Sequence, residues 1–226
     1  MRQVCTVVVR WSPQQPVRVL ALRDELTSRP FDDPGMWWPE ETGFVGGRDR
    51  VAGGTWCASD IATGCTALVL NRPQKRVADE GASSRGVLPL MALAHGADWP
   101  LHVDVAGMAS FALVLVTPEA LLLWVFDGEG LTVTSLPEGT HMVTSGGAED
   151  GKAQRYLLRF ADEDWQEVVR GEVPHDDPAA LVVRHEQDDL VFATVFGQLI
   201  DSTPGSLQLR WSRTPWEAGD WTAQAW

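Results

Sequence analysis

Residues 19–41 read VLALRDELTSRPFDDPGMWWPEE. An apolar run over residues 19–22 stops at three consecutive charges, Arg23, Asp24 and Glu25. Ser28-Arg29-Pro30 and the pair Trp37-Trp38 follow. Taken alone, the three charges mark a strand end in water. The other reading is that the strand delivers one of them to a site. Upstream, residues 5–11 are β-branched and apolar and read as a strand. Residues 17–22 read as a second strand, and a Pro-flanked turn over residues 13–16 joins the two as a hairpin. If the strands are antiparallel, the hairpin returns Asp24 toward Cys5, 19 positions earlier.

The pattern continues outward from that hairpin. Gly46-Gly47 reads as a loop and Gly53-Gly54-Thr55-Trp56 as the opening of a third strand, with all four glycines taken as turn residues. A fourth strand over residues 65–70 ends at Asn71-Arg72-Pro73, where the proline leaves the ladder. Residues 87–94 form a short helix with Ser84 near its cap and Gly96 at its close. Residues 111–116, 121–126 and 131–136 are three apolar runs, expected as strands buried on both faces or nearly so. The clearest helix spans residues 153–170, with Leu157, Phe160, Ala161, Trp165, Val168 and Val169 on one face. Asp150 caps its start, and Gly171 with Pro174 ends it. Residues 181–183, 191–200 and 207–211 are the last expected strands. So few helices cannot cross between many parallel strands, so the sheets are expected to be mainly antiparallel with helices outside.

Bulk composition bounds the partners. The chain has 226 residues, 44% of them hydrophobic, and a net charge of −13. No linker or composition break divides it, so residues 1–226 are expected to form one domain. Nucleic acid and anionic membrane surfaces repel so acidic a chain, and neither is an expected partner. The N-terminal stretch is too short and polar for a signal peptide, and no apolar run approaches the roughly 20 residues of a membrane span. A cytoplasmic protein with a small-molecule partner is expected. Three cysteines without a Cys-x-x-Cys pair, and five scattered histidines, make neither a disulfide framework nor a metal site.

Five blocks in order, LALRDELTSRP, WW, GGRDRVAGGTW, LVLNRP and SSRG, cover residues 20–86. This succession resembles the NRDE-domain family, also called the transport and Golgi organisation protein 2 family. The resemblance is dense over the first 90 residues and looser beyond. It implies a fold like that of the N-terminal nucleophile hydrolases: an α/β (α+β) sandwich, αββα, of two mainly antiparallel sheets with flanking helices.

In the related cysteine amidases a strand-opening Cys attacks an amide, with its own freed α-amino group as base. An Asp at the end of the second strand holds that amine, and an Asn after a later strand serves the oxyanion. The resemblance carries these roles to Cys5 as nucleophile, Asp24 as the amine's partner and Asn71 as the oxyanion donor, with Arg23 supplying a cation beside them. A thiol attacks as thiolate, so a base or cation must lower its pKa, and the oxyanion needs fixed donors. No cofactor is implied.

The chain departs from the family pattern in four places. Four residues precede Cys5 and would have to be removed. Leu22 stands where the family has Asn. Ser145 stands where a later Asn is expected, and Val191 where a late Arg is expected. Arg48, Asp49, Ser84 and Arg85 read as loop residues forming salt bridges, and Trp37-Trp38 as either core or pocket wall. The expected function is hydrolysis of a non-peptide amide C–N bond. The alternative is a non-catalytic carrier of haem or a lipid-like molecule, lined by Trp-rich loops, with haem suggested by family analogy alone.

Overall fold

The computed structural model describes residues 5–73, 78–147, 150–170, 172–177, 179–217 and 219–226. In chain order its elements are β1 (Thr6–Trp11), β2 (Val17–Leu26), β3 (Phe31–Gly35), β4 (Phe44–Asp49), β5 (Cys57–Asp60), β6 (Thr66–Asn71), α1 (Leu88–His95), β7 (Phe111–Val116), β8 (Leu121–Phe126), β9 (Leu131–Leu136) and β10 (Gly139–Thr144). They continue with α2 (Gly151–Asp162), α3 (Trp165–Val169), β11 (Arg184–Gln187), β12 (Leu190–Thr203), β13 (Ser206–Ser212) and β14 (Thr222–Ala225).

Among the described residues the strands form two seven-stranded sheets. The first runs β10-β1-β2-β12-β13-β14, with β11 on the start of β12; the second runs β3 to β9 in sequence order. The strand pairings are antiparallel. Side chains alternate across each sheet, which sorts the apolar residues into layers. Val7, Val9, Val17, Val19 and Ala21 meet Val45, Leu68, Leu70, Ala112, Val114 and Val116 between the sheets. On the outer face of the first sheet, Val8, Leu20 and Leu22 pack under Tyr156, Phe160, Trp165 and Val168 of α2 and α3. On the outer face of the second, Leu113 and Leu115 pack under Leu88, Ala92 and Trp99. The layers are therefore helix, sheet, sheet, helix, an α+β sandwich.

Several local expectations change. The second strand does not stop at residue 22: β2 runs on to Leu26, so Arg23 and Asp24 lie inside it and are buried. Neighbouring β12 pairs along its whole length, with a bulge between Thr194 and Phe196 opposite Asp24 and Arg23. Gly46 and Gly47 are not turn residues but lie in β4. A Cβ on Gly46 would stand 2.4 Å from the Cys57 carbonyl oxygen, and one on Gly47 would stand 2.3 Å from the Trp56 ring.

Strand β7 is buried throughout, but β9 is an edge strand with its four central residues exposed. The long helix is two helices. Asp164 accepts hydrogen bonds from the Gln166 and Glu167 N–H groups and starts α3 afresh, because a short acidic side chain competes for backbone donors better than it continues a helix. Ala161 is consequently exposed. Asp150 does cap α2, accepting from Lys152 N, and Ser84 caps the 3-10 turn Arg85–Val87 that leads into α1. Gly171 and residues 1–4 lie outside the described residues. Residues 181–183 form no strand, only a bridge from Val183 to His175. Among the described residues no helix is long and apolar enough to cross a membrane.

Candidate active site

Cys5 stands immediately before β1, where two neighbours hold its backbone and side chain. The register Thr6↔Leu22 places it opposite Arg23. Its Sγ lies 3.5 Å from the Asp24 carbonyl oxygen and accepts from the Asp24 N–H at 3.4 Å. Its own carbonyl accepts from the Ser145 N–H, just beyond β10, at 3.3 Å. A thiol held this way cannot swing freely, because β2 and the end of β10 fix the strand that carries it.

Alternation along β2 separates the two charges that adjoin it. Arg23 follows Val19 and Ala21 toward the space between the sheets. Asp24 follows Leu20 and Leu22 toward the helices. There its Oδ1 accepts from Thr194 Oγ1 at 2.6 Å, and its Oδ2 lies 3.7 Å from Lys152 Nζ in α2, both side chains fully buried. The thiol thus meets the backbone of Asp24, while the carboxylate is engaged on the helix side.

Arg23 is 5% exposed. Its guanidinium lies over the Trp56 ring at 4.4 Å and the Phe31 ring at 4.9 Å, contacts that favour a desolvated cation. Its Nη2 reaches Asp49 Oδ2 at 3.2 Å and Glu25 Oε2 at 3.6 Å. Asp49 is held by Arg29 as well, through Nε at 2.6 Å and Nη2 at 3.2 Å, and it accepts the Val51 and Ala52 N–H groups.

From β6 of the second sheet come Val69 and Asn71, from the segment before β5 come Thr55 and Trp56, and from the turn before α1 come Ser84, Arg85 and Gly86. Together with Cys5, Arg23, Asp24, Glu25, Arg29 and Asp49 these residues enclose a cavity of about 170 Å³. Gly54 sets the position of the turn: Thr55 N donates to the Gly86 carbonyl at 2.8 Å, and a Cβ on Gly54 would stand 2.4 Å from that carbonyl.

The electrostatics follow from burial. The Cys5 thiol is pushed up to about 12, first by burial and then by the charge of Asp24, with Arg23 pulling the other way. It is therefore protonated at neutral pH. Burial lowers the Arg23 and Arg85 guanidiniums. Burial also raises the Asp24 carboxyl, opposed by Lys152 and Thr194. Burial alone would raise Asp49, but Arg29 and the two N–H groups bring it below the ordinary carboxylate range. The site thus offers a fixed thiol, a desolvated cation network and side-chain amide and hydroxyl groups, with no titratable base hydrogen-bonded to Sγ among the described residues.

All four sequence-identified residues, Cys5, Arg23, Asp24 and Asn71, line this one cavity. Others were read as loop residues. Asp49 is a buried anchor for two arginines, and Arg85 donates to the Ser110 carbonyl at 2.9 Å rather than joining a loop ion pair. Arg48 does form an ion pair, with Asp32, but across the strands β3 and β4 and not in a loop. The blocks GGRDRVAGGTW and SSRG contain these residues, so the signal was present without its geometry. Lys152 and Thr194 carry no local signal, since both act on Asp24 from more than 120 positions away. Neither Trp37 nor Trp38 lines the cavity; Trp38 packs near Phe44 and Leu90.

Comparison with curated proteins returns no match. The family model described as Transport and Golgi organisation 2 matches residues 4–203. The matched span runs from Cys5 to the end of β12 and includes every residue that encloses the cavity. The chain belongs to the Transport and Golgi organisation 2 family.

Proposed function

We propose that this protein hydrolyses a non-peptide amide C–N bond with Cys5 as nucleophile, once the four residues before Cys5 are removed. The observation that carries this reading is the convergence of Cys5, just before β1, with Arg23 of β2 and Asn71 of β6 on one cavity. With the thiol held up at about 12 it is protonated at neutral pH, and among the described residues no base is hydrogen-bonded to it. Removal of residues 1–4 would place an α-amino group on Cys5 itself, with an unperturbed pKa of about 8.

That amine takes the thiol proton as Sγ adds to the amide carbon. Asn71 serves the oxyanion. The C–N bond then breaks, the amine leaves with the proton returned by the α-ammonium, and water hydrolyses the thioester to the acid and the thiol. Asp24, fixed by Thr194 and Lys152, orients the freed amine from the helix side of the sheet. Arg23 favours the thiolate.

The test is a chain made to begin at Cys5 and assayed on a panel of N-acyl amines and N-acyl amino acids. Turnover that disappears in Cys5→Ala supports the reading. Equal rates in Cys5→Ala would end it.

A second reading, a non-catalytic carrier of an apolar molecule, has one observation in its favour. A cleft of about 520 Å³ lies between β8–β9, β10 and α2, lined by Leu123, Val125, Leu136, Val143 and Leu157. That volume falls within the usual range for ligand pockets. None of the tryptophans lines it. Saturable binding of an apolar dye, lost in Leu157→Arg while the fold persists, would favour the carrier; no binding would remove it.

A further inference from the structure

In the wall of the Cys5 cavity one guanidinium is left without an ionic partner among the described residues. Three guanidiniums, Arg23, Arg29 and Arg85, face it. Two carboxylates, Glu25 and Asp49, answer them, and both are taken by Arg23 and Arg29. The third carboxylate in the wall, Asp24, is engaged by Lys152 and Thr194 on the helix side. Arg85 is left with the Ser110 carbonyl, and no carboxylate pairs with it among the described residues.

A second observation points to the same gap. Arg23 is 5% exposed, yet its Nη1 is buried without a hydrogen-bond partner. A buried donor left unmade costs free energy, and a charged one costs more, so an acceptor that reaches Arg23 is favoured.

We propose that Arg85 and Arg23 Nη1 together receive the carboxylate of a small substrate, so that the amides cleaved at Cys5 are those with a carboxylate within a few bonds of the scissile C–N bond. A guanidinium pair suits a planar carboxylate, whose two oxygens accept in parallel. The size agrees: about 170 Å³ holds the charged head of a molecule but lies below the roughly 300 Å³ at which pockets enclose a drug-sized ligand. The remainder of the substrate extends out of the cavity. Calling the anion a substrate rests on the hydrolase reading; the binding site itself does not.

The full chain, uncut, is titrated with N-acetylglycine and with its neutral counterpart N-acetylglycinamide, following tryptophan emission. Trp56 reports directly, because its ring lies against Arg23 and forms part of the wall. The expected result is at least tenfold tighter binding of the carboxylate. Arg85→Gln abolishes the preference, Arg85→Lys retains part of it, and Trp56→Phe removes the signal. Circular dichroism and melting of each variant establish that it is folded.

Equal affinity for the two probes, binding of neither, or an unchanged preference in folded Arg85→Gln would overturn the site. The same two probes offered to a chain beginning at Cys5 separate the two ideas. Carboxylate binding without turnover means that the hydrolase reading fails and the site stands. Turnover of neutral and carboxylated amides at equal rates means the reverse.

Discussion

Asp49 shows how a single carboxylate can organise this site. It joins Arg23 and Arg29 and accepts two backbone N–H groups. Replacing it with Asn leaves two partly or wholly buried guanidiniums short of charge. Such one-sided losses cost about 3 kcal/mol, so Asp49→Asn is expected to unfold at markedly lower urea concentration. Its carboxyl lies below the ordinary value of 3.8 in the folded state. The stability it contributes is therefore complete above that value and lost as pH falls through the folded pKa. Acid titration of stability should be shallower in Asp49→Asn than in the parent below about pH 4.

Asp24 behaves in the opposite sense. Its folded pKa is raised by burial, so its ionisation costs stability as pH climbs from 3.8 through the folded value. Lys152 limits that cost. Lys152→Met alone is expected to lose about 3 kcal/mol, and adding Asp24→Asn to recover more than half of it. A double-mutant cycle by denaturant unfolding measures the coupling. The sequence shows the three charges of β2 but not their burial, because the groups that make burial tolerable come from β12, α2 and the end of β4.

At the scale of elements, glycines decide whether the two sheets and the turn before α1 close on the cavity. A Cβ at Gly54 would collide with the Gly86 carbonyl. Gly54→Ala must therefore push the turn carrying Arg85 away from the cavity. A loss of about 2 kcal/mol is expected, together with weaker N-acetylglycine binding than in the parent.

The break between α2 and α3 is a capping effect and is separable from the site. Asp164→Ala should cost about 1 kcal/mol and leave ligand binding unchanged, as thermal melting and titration together would show. The strands β1, β6, β7 and β8 were legible, because apolar runs with turn residues at each end have few other readings. Strands β3 and β4 were not: Asp32, Asp33, Pro34 and the pair Gly46-Gly47 read locally as loop. They pair because glycine permits backbone to approach Trp56 and Cys57 at distances no side chain allows. Strand β9 was legible as a strand but not as an edge, since exposure depends on which strand lies beyond it.

At the scale of the molecule, the two sheets face each other with the Cys5 cavity bordering their shared core. The ordered motif blocks made this layering legible from residues 20–86, well before any side chain could be placed. The state of the Cys5 thiol was not legible in the sequence. Burial beside Asp24 holds the thiol up at about 12, and nothing in the local composition announces it.

We propose that Cys5 is latent while residues precede it and becomes active as the first residue. The most direct test follows iodoacetamide labelling of Cys5 against pH, by peptide mapping, in the intact chain and in one beginning at Cys5. In the intact chain labelling should stay slow until about pH 10, because only the thiolate reacts. In the chain beginning at Cys5 the rate at pH 7.5 should be at least about a hundredfold higher, since the freed amine and Arg23 then favour the thiolate. Superimposable pH profiles for the two chains would contradict the claim.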